Sequence, residues 1–235
     1  MKQKQSTKKQ TASKRATNQR VANKQPMNKQ TVIGIIVAAA LLLTGVILLI
    51  LKQTGGETTA TSTECGDYIA EIVIKDYGTI TVELDGSAAP ITVRNFVELA
   101  ESGYYDGKTF HRIINGFMMQ GGAANTSGGG GSGKTIKGEF TANGVDNPLK
   151  HTRGAISMAR SNAPDSASSQ FFIVHTTEKA THLDGKYACF GYVTSGLEIV
   201  DAICTSAIPI NSNGLIAAVE QPVIETIRVT PKDGE

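Results

Sequence analysis

Two stretches of the sequence carry ligand-binding or reactive residue types at spacings that are typical of functional sites. The first, GGGGSGKT at 128–135, matches the G-x-x-x-x-G-K-[ST] pattern of a nucleotide-binding P-loop. A P-loop needs a buried strand before the glycines and a helix starting at the Lys-Thr pair, because the amides of the helix N-terminus hold the phosphate. Here GGAANTS precedes the stretch and IKGEFTANG follows it, and neither segment predicts such an element. We therefore expect a mobile surface loop and no nucleotide binding.

The second stretch, FHRIINGFMMQGG at 110–122, is accompanied by SMARSNAPDSASSQFFIV at 157–174 and HLDGKYACFG at 182–191. Together these segments resemble the cyclophilin family of peptidyl-prolyl isomerases, and the resemblance extends from about Tyr68 to Thr230. It implies a mainly β fold, an eight-stranded antiparallel cyclophilin-like β-barrel capped by two helices. It also implies peptidyl-prolyl cis-trans isomerase activity on proline-containing polypeptides, with no cofactor and no metal.

Isomerisation of an X-Pro bond requires electrostatics and shape rather than a nucleophile. Rotation about the amide C–N bond faces a barrier of about 18–20 kcal/mol because that bond has partial double-bond character. A catalyst has to hold the proline ring, twist the bond and stabilise the nitrogen as it becomes pyramidal. An acceleration by about six orders of magnitude corresponds to about 8 kcal/mol. A permanently charged donor fork beside an apolar pocket meets this requirement.

The resemblance implies a role for each residue that matches the family motif. Arg112 matches the arginine that contacts the prolyl region and favours loss of amide conjugation. Gln120 matches the residue that hydrogen-bonds the substrate backbone and orients the arginine, and Phe117 matches the proline pocket. We predict these three as catalytic. The remaining predicted site residues bind substrate in the pocket and the groove: Met118, Ala159, Arg160, Gln170, Phe172, His182, Leu183 and Tyr187.

Several positions in this region carry expectations of their own. His182 stands where many eukaryotic members have Trp, so we expect weak cyclosporin binding, and Asn115 replaces a Pro with mild effect. Tyr187 stands where those members have His, and it keeps a ring and a hydroxyl donor, so we expect catalysis to persist. We expect Arg160 to contribute mainly its backbone, so that its identity could vary. His111 is predicted to be structural, because the reaction transfers no proton.

Periodic patterns predict the elements that must position these residues. YIAEIVIK and TITVEL alternate on either side of the turn DYG, which predicts a β-hairpin. From Val93 apolar residues recur at i, i+3, i+4 and i+7, which predicts a helix with Pro90 in its first turn and Gly103 at its end. LEIVDAIC predicts a second helix. Further strands are predicted at TFHRII, FMMQ, GAISMA, FFIV, ACFGYV and VIETIRVT, which favours a closed or nearly closed barrel.

The N-terminal part of the chain has a different composition. Residues 1–52 carry ten Lys and Arg and no Asp or Glu, and the 21-residue run at 31–51 is apolar and uncharged. A helix of that length spans about 30 Å, the thickness of a bilayer core. A buried core helix and a cleaved signal peptide are the alternatives, but the run is longer than a signal-peptide core and no A-x-A site follows. We favour an uncleaved signal anchor.

These observations predict four segments and a location. A basic, disordered cytoplasmic tail occupies 1–30, a transmembrane signal-anchor helix 31–51, a flexible linker 52–66 and an isomerase domain 67–235. The positive-inside rule places the N-terminus in the cytoplasm and the domain beyond the cell membrane. The expected partners are therefore exported clients and, through 31–51, the lipid bilayer. The tail could contact lipid headgroups or nucleic acid, but we favour a purely topogenic role and expect no nucleic-acid partner.

Cysteine usage and motif content narrow the remaining classes of function. Cys65, Cys189 and Cys204 are odd in number and match no metal-binding spacing. Cys189 and Cys204 lie in apolar runs and are predicted core residues, and one disulfide of unidentified pairing could form in an oxidising compartment. Neither G-x-S-x-G nor H-E-x-x-H occurs, so a hydrolase lacks support. A proline-peptide binding module or chaperone with little turnover would use the same groove and stays open as the rival function.

Overall fold

The computed structural model describes residues 65–232. The predictions for the tail at 1–30, the apolar run at 31–51 and nearly all of the linker lie outside the described residues. Within residues 65–232 no helix has both the length and the apolar character needed to cross a bilayer.

Within the described residues, eight strands form one antiparallel sheet. They are β1 (Tyr68–Ile74), β2 (Gly78–Leu84), β3 (Phe110–Ile114), β4 (Met118–Gly121), β5 (Ala155–Met158), β6 (Phe171–Val174), β7 (Cys189–Ser195) and β8 (Ile224–Pro231). Their spatial order is β3-β4-β6-β5-β7-β2-β1-β8. Register shifts interrupt several of the pairings, and such bulges bend a sheet. All eight strands lie where the sequence pattern predicts them.

The curved sheet is a half-barrel, which is more open than the closed or nearly closed barrel that the sequence pattern predicts. The terminal strands β3 and β8 share no ladder in the described residues, and an isolated bridge between Thr109 and Val223 links the segments that precede them. The rest of the β3 edge is occupied by the segment that precedes β8. There the Ile113 N–H donates to Gly214 O at 2.8 Å, and the Ile216 N–H donates to His111 O at 2.9 Å. Because this segment already pairs with the backbone groups at the edge of β3, β8 forms no ladder with β3.

The core lies between the sheet and the first helix, α1 (Pro90–Glu101). Alternate residues of β1 and β2 are buried, as period-2 strands with one solvated face require. The ring of Phe96 lies 5.2 to 5.5 Å, between centroids, from those of Tyr105, Phe171 and Phe190. The apolar stripe predicted for this helix therefore packs on an aromatic cluster at the centre of the core.

Both ends of α1 follow from the local chemistry of the chain. Pro90 is the first residue of α1, where its missing N–H costs nothing. Gly103 adopts φ 71°, and the N–H groups of Gly103 and Tyr104 donate to the carbonyls of Ala100 and Leu99, the Schellman arrangement. The predicted terminator of α1 is thus confirmed. The second helix, α2 (Leu197–Ser206), lies between β7 and β8 as predicted.

Candidate active site

Cross-strand register places three predicted site residues in one row. Arg112 on β3 lies opposite Gln120 on β4, and Gln120 lies opposite Phe172 on β6. Residues directly opposite in an antiparallel pair project to the same face of the sheet. The strand pattern alone therefore brings a guanidinium, an amide and an aromatic ring together, although they are up to 60 positions apart in the chain.

These side chains line a cavity of about 280 Å³ on the outer face of the sheet. Ten of the eleven predicted site residues line it: Arg112, Phe117, Met118, Gln120, Ala159, Arg160, Phe172, His182, Leu183 and Tyr187. The eleventh, Gln170, lines an adjoining cavity of about 440 Å³, which shares Gln120, Ala159 and Arg160 with the first. The structure thus collects the predicted residues in two contiguous cavities.

Arg112 is held in place at the wall of the smaller cavity. Its Nε donates to Asn213 O at 2.7 Å, and its Nη1 donates to Gln120 Oε1 at 3.2 Å. The side chain is half-buried, and this burial lowers the pKa of the guanidinium, an effect that the nearby Tyr187 opposes. A guanidinium has so high an ordinary pKa that it keeps its charge in proteins. Arg112 is therefore a fixed cation in the same cavity as the apolar side chains of Phe117, Phe172 and Leu183.

Two glutamines connect Arg112 to the glycine-rich stretch. Gln120 Nε2 donates to Gln170 Oε1 at 2.9 Å, and Gln170 Nε2 donates to Gly130 O at 2.7 Å and to Gly128 O at 3.2 Å. Residues 128–135 form a loop with no strand leading into it and no helix following it in the described part of the chain. Their glycines line the larger cavity instead. The P-loop pattern therefore belongs to a wall of the groove.

Aromatic contacts fix the apolar walls of the smaller cavity. The Phe172 ring packs edge-on against Tyr187, with centroids 6.1 Å apart, and is stacked by His151 at 5.9 Å. His151 is buried, and its ring nitrogens lie 3.0 Å from Asp184 Oδ1 and from Ser157 Oγ. Burial lowers its pKa, an effect opposed by Asp184. His151 thus packs against Phe172 and helps to hold its ring in place. Nothing in the sequence around His151 indicated this role.

Arg160 has more side-chain contacts than a backbone role requires. Its guanidinium carbon lies 4.6 Å from the centroid of the Tyr187 ring and 5.0 Å from that of Phe140. Nε donates to Lys186 O at 3.0 Å, and Nη1 donates to Ser161 O at 2.9 Å. The expectation that the identity of this residue could vary does not fit these contacts. Arg160 braces Tyr187 at the boundary between the two cavities.

His111 and the cysteines lie away from the cavities. His111 is 3% exposed, and a Cβ built on Gly128 would come within 2.6 Å of its ring, so this glycine permits the loop to pass over it. Cys189 and Cys204 are buried, which confirms their predicted core positions, and Cys65 is half-buried. All three thiols are free. Among residues 65–232, His, Cys, Asp and Glu form no group of three or more that could hold a metal ion.

Comparisons with known proteins agree with this geometry. The family model described as cyclophilin type peptidyl-prolyl cis-trans isomerase/CLD matches residues 69–229. Peptidyl-prolyl cis-trans isomerase B of Bacillus subtilis is 50% identical over 126 residues, 54% of this chain and 83% of that one. The Helicobacter pylori isomerase is 45% identical over 128 residues, 54% and 74% of the two chains. A Cryptosporidium parvum cyclophilin-type isomerase, solved in the presence of the dipeptide Ala-Pro, superposes with a TM-score of 0.60 at 29% identity, covering 69% of this chain and 98% of its own.

Proposed function

This chain belongs to the cyclophilin-type peptidyl-prolyl cis-trans isomerases, and we propose that it accelerates X-Pro isomerisation in exported proteins through Arg112 and an apolar proline pocket. The observation that carries the proposal is the juxtaposition of the Arg112 guanidinium with Phe117, Phe172 and Leu183 around one cavity. A pyrrolidine ring is apolar and fits such walls, whereas the developing lone pair on its nitrogen needs a donor.

The proposed mechanism uses electrostatics alone. As the X-Pro bond twists, the nitrogen loses conjugation with the carbonyl and its lone pair localises. Arg112 then donates to that nitrogen from a position already fixed by Asn213 and Gln120, so little reorganisation is needed in the transition state. Gln120, which accepts from Arg112, also borders the groove, where it can orient the substrate backbone. No proton is transferred and no covalent intermediate forms.

The proposed cellular role rests on the charge distribution and the apolar run in the sequence. The lysine- and arginine-rich residues 1–52 support a cytoplasmic N-terminus, and the uncharged run at 31–51 is long enough for an anchor. The isomerase domain would then act on chains folding beyond the membrane, where uncatalysed X-Pro exchange takes tens of seconds or longer. The exposed imidazole of His182 offers less apolar area than an indole, which supports the proposal that cyclosporin binds weakly.

A proline-limited refolding assay with the purified full chain tests the proposed mechanism. Arg112→Ala should lower kcat/KM about 10²- to 10³-fold, the usual loss for one preorganised donor to a transition state. It should still bind a proline-containing peptide weakly, because the apolar walls stay. Arg228→Ala, which removes an exposed arginine on β8, is the matched control and should behave as wild type. Equal turnover of Arg112→Ala and wild type would contradict the mechanism, and peptide binding without turnover by wild type would favour a binding module.

A further inference from the structure

The turn that carries Phe117 is held by the residues that follow β6. The Gly116 N–H donates to His175 Nδ1 at 2.9 Å, and Gly116 O accepts from Thr176 Oγ1 at 2.6 Å. Phe117 O accepts from the His175 N–H at 2.8 Å. Three hydrogen bonds therefore fix the backbone on both sides of the Gly116–Phe117 peptide bond. Because Phe117 lines the smaller cavity, the position of its ring depends on this contact.

The second nitrogen of His175 contacts an ion pair anchored on α2. His175 Nε2 lies 3.2 Å from Asp201 Oδ1. The Asp201 carboxylate accepts two hydrogen bonds from Arg153, at 2.6 and 2.8 Å, and Arg153 Nη1 also donates to His175 O at 3.0 Å. The Arg153–Asp201 pair is about 40% exposed, so it adds little stability by itself. Its geometry nevertheless presents an acceptor to Nε2.

This arrangement is consistent with a single tautomer of His175. A neutral imidazole carries its proton on one nitrogen and accepts at the other. Gly116 supplies a donor to Nδ1 and Asp201 supplies an acceptor to Nε2, so the proton belongs on Nε2. The His175 side chain is 10% exposed, so water cannot easily replace either partner.

The same cluster also secures the opposite wall of the cavity. The Arg153 N–H donates to Thr177 Oγ1 at 2.9 Å, the Ala180 N–H donates to Thr177 O at 3.0 Å, and the Leu183 N–H donates to Ala180 O at 2.9 Å. Leu183 and the neighbouring His182 line the cavity, and the His182 ring lies 5.7 Å from that of Phe117. Arg153, His175 and Asp201 thus connect both walls to α2.

We propose that His175 is a positioning residue for the isomerase reaction, holding the Gly116–Phe117 turn through an unprotonated Nδ1, while Asp201, itself held by Arg153, selects that tautomer. The proposal rests on the proposed function, since it assigns to Phe117 a role in binding the proline ring. It goes beyond that function because the side chains that fix the position of Phe117 do not themselves line the cavity.

The test compares three variants of the full chain. His175→Leu removes both ring contacts, His175→Asn keeps an acceptor near the place of Nδ1 and loses the contact with Asp201, and Asp201→Asn weakens tautomer selection. We expect His175→Leu to lower kcat/KM for an X-Pro peptide about tenfold to a hundredfold, mostly by raising KM, because a misplaced pocket loses ground-state and transition-state binding alike. His175→Asn should recover most of this loss. Glu198→Gln, an exposed acid on the same helix, is the control and should leave both constants unchanged.

A spectroscopic measurement separates positioning from a purely structural role. In wild type, the ¹⁵N shift of His175 Nδ1 should be that of an unprotonated acceptor, and the Gly116 amide resonance should move in His175→Leu and Asp201→Asn. A proton on Nδ1 in wild type would overturn the proposal. So would wild-type kinetic constants in His175→Leu accompanied only by reduced stability. If His175→Leu does not fold, the tautomer of wild type and the Gly116 amide resonance in Asp201→Asn test the proposal instead. Failure of the proposed function would appear differently, as absent turnover in wild type.

Discussion

At the scale of the residue, Arg112 carries a charge that does not depend on pH near neutrality. Burial lowers the pKa of the guanidinium, but a guanidinium stays protonated in proteins. A histidine that acted as a general acid or base would instead make the rate depend on pH in this range. The pH dependence of the reaction therefore identifies which of them acts.

We predict that kcat is nearly flat between about pH 6 and pH 8, because a fixed cation needs no proton transfer. The measurement is the isomerisation of an X-Pro peptide by the full chain in buffers of constant ionic strength. His182→Gln is the control, and it should change the level of the profile without changing its shape. A steep bell centred on the pKa of a histidine would contradict the assignment to Arg112.

Arg160 carries a second prediction at this scale. Its guanidinium stacks on Tyr187 and on Phe140, and a cation–π contact of this kind contributes about 0.5–1 kcal/mol at an exposed site. Arg160→Ala should therefore lower the free energy of unfolding by about 1–2 kcal/mol and raise KM, because Tyr187 loses its brace. Arg160→Lys should not restore either value, since an ammonium lacks the planar fork. Urea unfolding measures the free energy of unfolding, and peptide kinetics measure KM. Full rescue by Lys would show that charge alone matters.

At the scale of the element, the N-terminus of α1 is anchored by a buried carboxylate from a distant loop. Glu139 is 2% exposed, and it accepts hydrogen bonds from the Ile91 N–H, the Thr92 N–H and the Thr92 hydroxyl, at 3.0, 2.8 and 2.7 Å. These backbone donors have no partner within the helix. The negative charge also suits the positive end of the helix dipole. Glu139 thereby holds the segment after the glycine-rich loop against α1.

We predict that Glu139→Gln lowers the free energy of unfolding by about 1–3 kcal/mol, because the amide nitrogen of Gln cannot accept from the donors that the second carboxylate oxygen serves. Glu98→Gln on the same helix is the matched control. Its carboxylate is 57% exposed and lies 3.8 Å from Lys134 Nζ, so its loss should cost at most about 1 kcal/mol. Urea unfolding of both variants decides the matter, and equal losses would contradict a capping role for Glu139.

The extent of successful prediction from the sequence also differs between elements. Strands and helices were predictable because burial imposes period 2 on a strand and a helical stripe on α1. The site residues were predictable only through their match to a known motif. Glu139, His151 and His175 carried no such signal, since each acts mainly through contacts with residues far away in the chain. The covering of the β3 edge by Gly214 and its neighbours was equally hidden, because that segment has no periodicity.

At the scale of the whole molecule, two buried thiols contribute to the response of stability to alkaline pH. Burial raises the pKa of Cys189 and of Cys204 from 9.0 to about 12. The folded chain therefore keeps both thiols protonated at a pH where the unfolded chain has lost those protons. Stability falls with rising pH wherever the unfolded state binds fewer protons. This contribution is complete below about pH 9 and is lost progressively above it.

We predict that the free energy of unfolding falls by about 1.4 kcal/mol per buried thiol between pH 8 and pH 10. Urea unfolding in the presence of a reductant measures the fall. Cys189→Val and Cys204→Val should each reduce its slope, whatever they do to stability at neutral pH. The half-buried Cys65 is the control, and Cys65→Ala should change the slope less. A slope unaffected by the two valine variants would assign the alkaline loss to other groups, such as the buried Tyr105.

The division of charge along the chain leads to a prediction about its place in the cell. Residues 57–235 carry 13 basic and 21 acidic residues, whereas residues 1–52 carry ten basic residues and none that are acidic. Acidic residues contribute little to topology, so orientation follows from the basic cluster before the run at 31–51. The full chain should therefore sediment with membranes, resist alkaline extraction and dissolve in detergent, and added protease should reach the isomerase domain in intact cells. Deletion of 31–51 should release the chain. Recovery of a shortened chain free of membranes would instead identify the apolar run as a cleaved signal peptide.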